Sequence, residues 1–248
     1  MTTHPNSAAT IPSFDGPTAS LVRLAARITG GSEAAVREAF AECLGAGNGS
    51  SDASDASDGS GGSGGSGGDG GDGTGVGVPL AWLEEVVLQS YLFAGFPRAL
   101  NAAREWRRAL GGSGSGAEPE ERVGSYENVF SWRMQGEETC EVVYGKNYEK
   151  LRKNIRALHP ALDDWMIVEG YGKVLSRPGL DLQRRELCII AACVAAGQDR
   201  QLHSHLHGAL NAGAGARAVT ATLDCLEGVV DPINLKRAQM LWARVQGK

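Results

Sequence analysis

The sequence predicts an all-α fold, on three observations. Apolar residues recur at i, i+3, i+4 spacing in most segments between breaks. No stretch alternates apolar and polar residues as a half-buried strand does. Prolines and glycines fall at the joints between the periodic segments, with Pro160, Pro178, Pro232, Gly179, Gly197 and Gly213 marking those of the C-terminal half.

The elements follow in order. Residues 1–18 are expected to be disordered. Residues 19–44 carry two helical stripes, Leu21, Leu24 and Ala25, then Ala35, Val36 and Phe40 with Cys43, and Ser32 is placed to cap the second. Residues 45–78 read GAGNGSSDASDASDGSGGSGGSGGDGGDGTGVGV, with no aromatic side chain and almost no apolar one. Such a stretch cannot bury enough surface to offset its ordering entropy, so a flexible tether is expected there. Residues 79–112 read as a helix, a break at Gly95-Phe96-Pro97 and a return helix. Residues 113–143 are expected to be a connector, and 144–248 a second helical domain.

Composition excludes several classes of function. The net charge of −5 has one source: five aspartates lie between Gly45 and Val78, and without them the 29 acidic residues fall to 24, equal to the 24 basic ones. The folded part therefore offers no basic field for nucleic acid. The longest apolar run, Leu187 to Ala196, is half of what a membrane span needs, so no membrane association is expected. The N-terminus has neither a basic start nor an apolar core, which points to a cytoplasmic protein. The five cysteines form no CxxC pair and are odd in number, which argues against a disulfide framework and a dithiol centre.

An internal echo runs through the chain. A shift of 102 residues places Glu84 on Glu186, Gly95 on Gly197, Arg98 on Arg200 and Leu100 on Leu202. Both segments read as buried helix, glycine turn and second helix. The N-terminal segment lacks the histidines, because Asn101 and Ala103 occupy the positions of His203 and His205. A diverged repeat is one reading; chance similarity between two helical hairpins is the other.

The stretch RQLHSHLHGALNAGA holds three of the five histidines. The preceding helix is apolar all round from Leu187 to Ala196, with Asp181 as N-cap and Glu186 about one turn inside. Gly197 turns the chain back. On the return helix Leu202, Leu206, Ala209 and Gly213 form one stripe, with His203 and His205 on its opposite shoulders and His207 further toward solvent. Glu186 is 11 residues before the turn and His205 is 8 after it, so the two lie within roughly 5 Å along the axis. A carboxylate there can orient an imidazole for general acid–base work, and the same geometry equally serves a structural ion pair. His203 and His207 share a face, but two ligands are too few for zinc, and no metal is expected. Cys188 sits in an apolar run that raises its pKa, which makes it a poor nucleophile.

The segment EGYGKVLSRPGLDLQRRELCIIAACVAAGQDRQLHSHLHGALNAGA resembles the carboxymuconolactone decarboxylase family. The matching pieces are RPGL, REL opening a buried helix, and H-x3-ALNAG. The strong resemblance covers Tyr144 to Lys248, and PLAWLEEVVLQSYLFAGFPRALNAAREW looks like a second, diverged copy. The resemblance implies a helical-hairpin bundle that associates as trimers or hexamers.

The resemblance also implies one of two chemistries. The alkylhydroperoxidase D-like branch carries a glutamate, a CxxC pair and a histidine 19 residues after the glutamate. Glu186 and His205 have that separation, but Gln198 and Gln201 occupy the cysteine positions, which removes the thiols a peroxidase needs. The decarboxylase branch implies a lyase without metal or organic cofactor, acting on a small carboxylated lactone or keto acid. In that reading His205 is the acid–base residue and Glu186 orients it. His203, Gln198 and Gln201 line the site, and Arg177 or Arg200 anchors the substrate carboxylate. A peroxidase working through a relocated cysteine such as Cys188 and a non-catalytic oligomeric scaffold are the alternatives.

Overall fold

The computed structural model describes residues 14–45, 77–111 and 126–247. Residues 46–76 of the tether expected at 45–78 lie outside the described residues, as do residues 112–125 and the N-terminus before Phe14. The expected tether ends short of Val78, which is buried and donates its amide to the Cys43 carbonyl at 2.8 Å. The described residues form helices α1 (Gly16–Gly30), α2 (Glu33–Cys43), α3 (Leu80–Ala94), α4 (Phe96–Ala109), α5 (Tyr126–Tyr144), α6 (Tyr148–Leu158), α7 (Pro160–Trp165), α8 (Leu182–Ala195), α9 (Asp199–Asn211), α10 (Gly215–Asp224) and α11 (Pro232–Gln246). Among the described residues there is no strand, so the chain is all-α.

Helix α8 is the axle of the bundle. It packs against α1, α3, α9, α10 and α11. Every residue from Arg184 to Val194 is buried, which is what a helix apolar all round requires. Asp181 caps it by accepting the Arg184 amide at 2.9 Å. Helix α1 lies alongside and buries Leu21, Leu24 and Ile28. Ser32 caps α2 by accepting the Ala35 amide.

Two hairpins meet at this axle. Helices α3 and α4 turn at Gly95 (φ 80°), and α8 and α9 turn near Gly197 (φ 65°). Both values lie in the left-handed region, where glycine is unstrained. The residue that anchors α3 is Glu85, not Glu84. Buried Glu85 accepts from Arg185 Nη2 at 2.8 Å and from Arg177 Nε at 3.1 Å.

Three expected boundaries shift. Helix α1 starts at Gly16, inside the stretch expected to be disordered, because Asp15 accepts the Thr18 amide and Pro17 sits in the first turn. The expected connector at 113–143 contains most of α5. That helix buries Trp132, Gly136, Cys140 and Val143, a stripe too poor in large aliphatic residues to read as a core face. Within the helical domain expected at 144–248, the stretch MIVEGYGKVL is not α-helical: α7 passes at Met166 into a π-helical segment that ends at Leu175. Gly170 and Gly172 lower the cost of leaving α-helical geometry there. Gly172 and Gly136 also let this segment and α5 cross closely. A Cβ on Gly136 would overlap the Ile167 carbonyl, and one on Gly172 the Trp132 carbonyl.

Candidate active site

The α8–α9 hairpin carries the site. His205 Nδ1 lies 2.8 Å from Glu186 Oε2. Glu186 is fully buried and His205 is 6% exposed. With Nδ1 held against the carboxylate, Nε2 is the ring nitrogen left open for proton transfer. Glu186 Oε1 has no hydrogen-bond partner in the protein, an uncommon state for a buried carboxylate oxygen.

Glycine makes room for that carboxylate. A Cβ on Gly208 would lie 2.6 Å from Glu186 Oε2 and 2.7 Å from Val143 Cγ1. Helix α5 closes the back of the pair, and Asn211 Nδ2 holds it by donating to the Val143 carbonyl at 2.8 Å. Tyr144 and Tyr171 meet edge to face beside it, with ring centroids 6.2 Å apart. Burial pushes the Tyr144 phenol up to about 12 and Tyr171 well above its usual value, and the charge of Glu186 adds to both. The two hydroxyls therefore stay neutral across the physiological range.

A cavity of about 280 Å³ lies across Phe93 from the pair, and neither Glu186 nor His205 forms part of its wall. Its walls are Leu92 and Phe93 from α3, Ala192, Cys193 and Ala196 from the end of α8, and Gln198 and Gln201. Gln198, Gln201 and His205 stand at i, i+3 and i+7, so they share one face of α9. Phe93 joins cavity and pair directly: its ring meets the His205 ring edge-on, with centroids 5.8 Å apart.

Of the residues expected at the site, the structure pairs Glu186 with His205 and places Gln198 and Gln201 in the wall of the neighbouring cavity, to which Phe93 links the pair. Three others are corrected. His203 is two residues, about 200°, from His205 around the helix. It pairs edge-on with His207 at 5.0 Å and does not line the cavity. Arg177 is held by both oxygens of Glu85, a buried carboxylate that needs a cation, and it lines a different cavity with Gln135 and Glu138. Arg200 is exposed on the first turn of α9 and is not part of the cavity wall. His207, expected toward solvent, is half-buried.

The sequence reading missed Leu92, Phe93, Cys193 and Gly208. Gly208 had a usable signal, because a glycine inside a helical pattern marks close approach.

The thiols do not replace the absent CxxC pair. Burial pushes Cys193 and Cys140 up to about 12, Cys43 to about 12 and Cys225 to about 11, and it raises fully buried Cys188 as well. No group of three or more His, Cys, Asp or Glu side chains suited to a metal occurs among the described residues. Nor is any helix among them long and apolar enough to cross a membrane.

Comparison with known proteins agrees with the hairpin. "Peroxisomal protein 2" of Schizosaccharomyces pombe is 30% identical to this chain over 133 residues, 53% of this chain and 61% of that protein. The chain thus spans less than two thirds of the length of that relative. Residues 164–228 match the model of the carboxymuconolactone decarboxylase family, a span that holds Glu186, Gln198, Gln201 and His205 and excludes Phe93. The part of the chain that builds the Glu186–His205 hairpin is thus similar to the carboxymuconolactone decarboxylase family.

Proposed function

We propose that the protein is a cofactor-independent lyase of the decarboxylase type, acting on a small carboxylated lactone or keto acid. The observation that carries this reading is the buried 2.8 Å contact between His205 and Glu186, linked through the Phe93 ring to a cavity lined by Gln198 and Gln201. Cofactor-free loss of CO2 needs a substrate whose carboxylate is β to a carbonyl or conjugated with one. The bond to the carboxylate then breaks and its electron pair moves into an enolate. A proton must next reach carbon. The imidazolium of His205 delivers it, stabilised by Glu186, and the neutral imidazole recovers a proton from solvent.

The substrate carboxylate has no arginine in the cavity wall. It is assigned instead to the start of α9, where Gln198 makes no side-chain capping bond and the helix N-terminus favours an anion. The Gln198 and Gln201 amides supply further donors.

Association as trimers or hexamers belongs to the same proposal. Phe130 (69% exposed) and Leu158 (74%) support it as apolar surface that a lone chain leaves in water. A repeat relationship between the two hairpins is supported by their shared helix–glycine–helix form. A cytoplasmic location is supported by the five free thiols.

The test is CO2 release from a panel of β-keto acids and carboxylated lactones, in the presence of a chelator. The expected result is chelator-insensitive release by the native chain that falls sharply in Glu186→Gln. A panel with no turnover favours the scaffold reading, which the near-complete burial of His205 supports.

A further inference from the structure

The cavity draws its wall from two parts of the chain. Phe93 and Leu92 come from α3, outside the family-matching span, while Cys193, Gln198 and Gln201 come from the hairpin inside it. The placement of α3 is fixed by one face. Glu85, Gln89 and Phe93 are spaced four apart, so they line up along about 12 Å of helix. Glu85 and Gln89 both hold Arg185, the residue before Glu186: Nη2 donates to Glu85 Oε2 at 2.8 Å and Nη1 to Gln89 Oε1 at 3.3 Å. Arg185 is fully buried, so this end of α3 is pinned. The other end sets the Phe93 ring on His205.

The wall is divided in chemistry. Its α3 side is an aromatic and an aliphatic side chain, and its α9 side is two primary amides. None of the side chains in the cavity wall is ionised at neutral pH, because the Cys193 thiol is held at about 12.

Building on the lyase reading, we propose that the N-terminal hairpin completes the site in cis. Leu92 and Phe93 form the specificity wall that grips the apolar part of the substrate, while Gln198 and Gln201 take its oxygen atoms. The substrate class is thus a small acid with its oxygens at one end and a slender apolar flank at the other. The N-terminal hairpin, which carries no histidine of its own, acts as the selective half of a site whose acid–base half is α8–α9.

The test reads binding and not turnover, so it stands apart from the lyase reading. Straight-chain 2-oxo acids of four, six and eight carbons serve as probes, because they carry the oxygens at one end and do not lose CO2 without a cofactor. Their affinity for the full chain is measured by calorimetry, beside Phe93→Ala, Phe93→Leu and Leu92→Ala. In the native protein each added methylene is expected to tighten binding about fourfold until the cavity is full. Phe93→Ala should lose most of that gradient and Phe93→Leu should keep most of it. Leu92→Ala provides the readout should Phe93→Ala fail to fold, and it should flatten the gradient as well. Equal affinity along the native series, no binding, or an unaltered gradient in Phe93→Ala and Leu92→Ala would overturn the proposal. A chain that binds with this gradient yet releases no CO2 from the lyase panel would keep the wall and remove the lyase.

Discussion

His205 and Glu186, 19 residues apart in sequence, meet at 2.8 Å across a helical hairpin whose turn is a left-handed glycine. One carboxylate oxygen is spent on the imidazole and the other has no partner in the protein. An unsatisfied buried carboxylate oxygen costs on the order of 1–3 kcal/mol, so surrounding packing must over-determine this arrangement.

Gly208 is the first point at which that packing can be tested. Gly208→Ala places a methyl group 2.6 Å from Glu186 Oε2 and 2.7 Å from Val143 Cγ1. The carboxylate or α5 must move. The expected cost is about 1–3 kcal/mol of stability, seen by denaturant unfolding, together with loss of at least tenfold in any turnover that depends on His205.

The crossing of α5 with the π-helical segment should be less forgiving. Both glycines there face backbone carbonyls, which cannot rotate away as a side chain can. Gly136→Ala and Gly172→Ala are each expected to destabilise by about 3 kcal/mol or more. A midpoint shift smaller than that of Gly208→Ala would contradict the close crossing.

How much of this was legible in the sequence depends on how each interaction is built. The Glu186–His205 pair was legible because a hairpin with a defined turn makes register a matter of counting residues. The Gln198 and Gln201 positions were legible only through the family resemblance, whose cysteine positions they occupy. Arg177 was misplaced because sequence shows an arginine near a site but not the buried carboxylate, Glu85, that claims it from 92 residues away. His203 was placed one shoulder too close, since spacing gives an angle and not the edge of a cavity. Phe93 had no local signal, because what makes it part of the site is the pairing of Glu85 and Gln89 with Arg185. Helix α5 was hidden by a buried stripe of tryptophan, glycine and cysteine that carries little hydrophobic periodicity.

Asp163 predicts the acid limit of the fold. Hydrogen bonds from Arg152, then from Arg156, hold its carboxyl below the usual carboxylate range. A group lowered in the folded state contributes stability above its unfolded pKa of about 3.9 and loses it as pH falls through the folded value. Stability should therefore fall below about pH 4. Asp163→Asn should lose about 1–3 kcal/mol near neutrality, because it removes the charge partner of half-buried Arg152 while Arg156 remains in solvent, and should show a shallower acid slope. Denaturant melts at neutral and acid pH measure both.

The thiols predict resistance to peroxide. Burial holds Cys140 and Cys193 near 12 and raises Cys188, so little thiolate exists at neutral pH. Thiol titre under native conditions should be unchanged after exposure to hydrogen peroxide. Rapid loss of a single thiol with catalytic consumption of peroxide would return the protein to peroxidase chemistry.

The central claim is that His205 moves a proton and does not merely hold Glu186. His205→Asn separates the two roles, since its amide nitrogen takes the place of Nδ1 and can still donate to Glu186 Oε2 but cannot shuttle a proton. The decisive measurement is kcat/KM of His205→Asn on a substrate turned over by the native chain, with folding checked by circular dichroism. A fall of about 10²–10⁴-fold in a folded variant is the predicted result. A value within about twofold of the native chain, as a purely structural hydrogen bond would give, would contradict it.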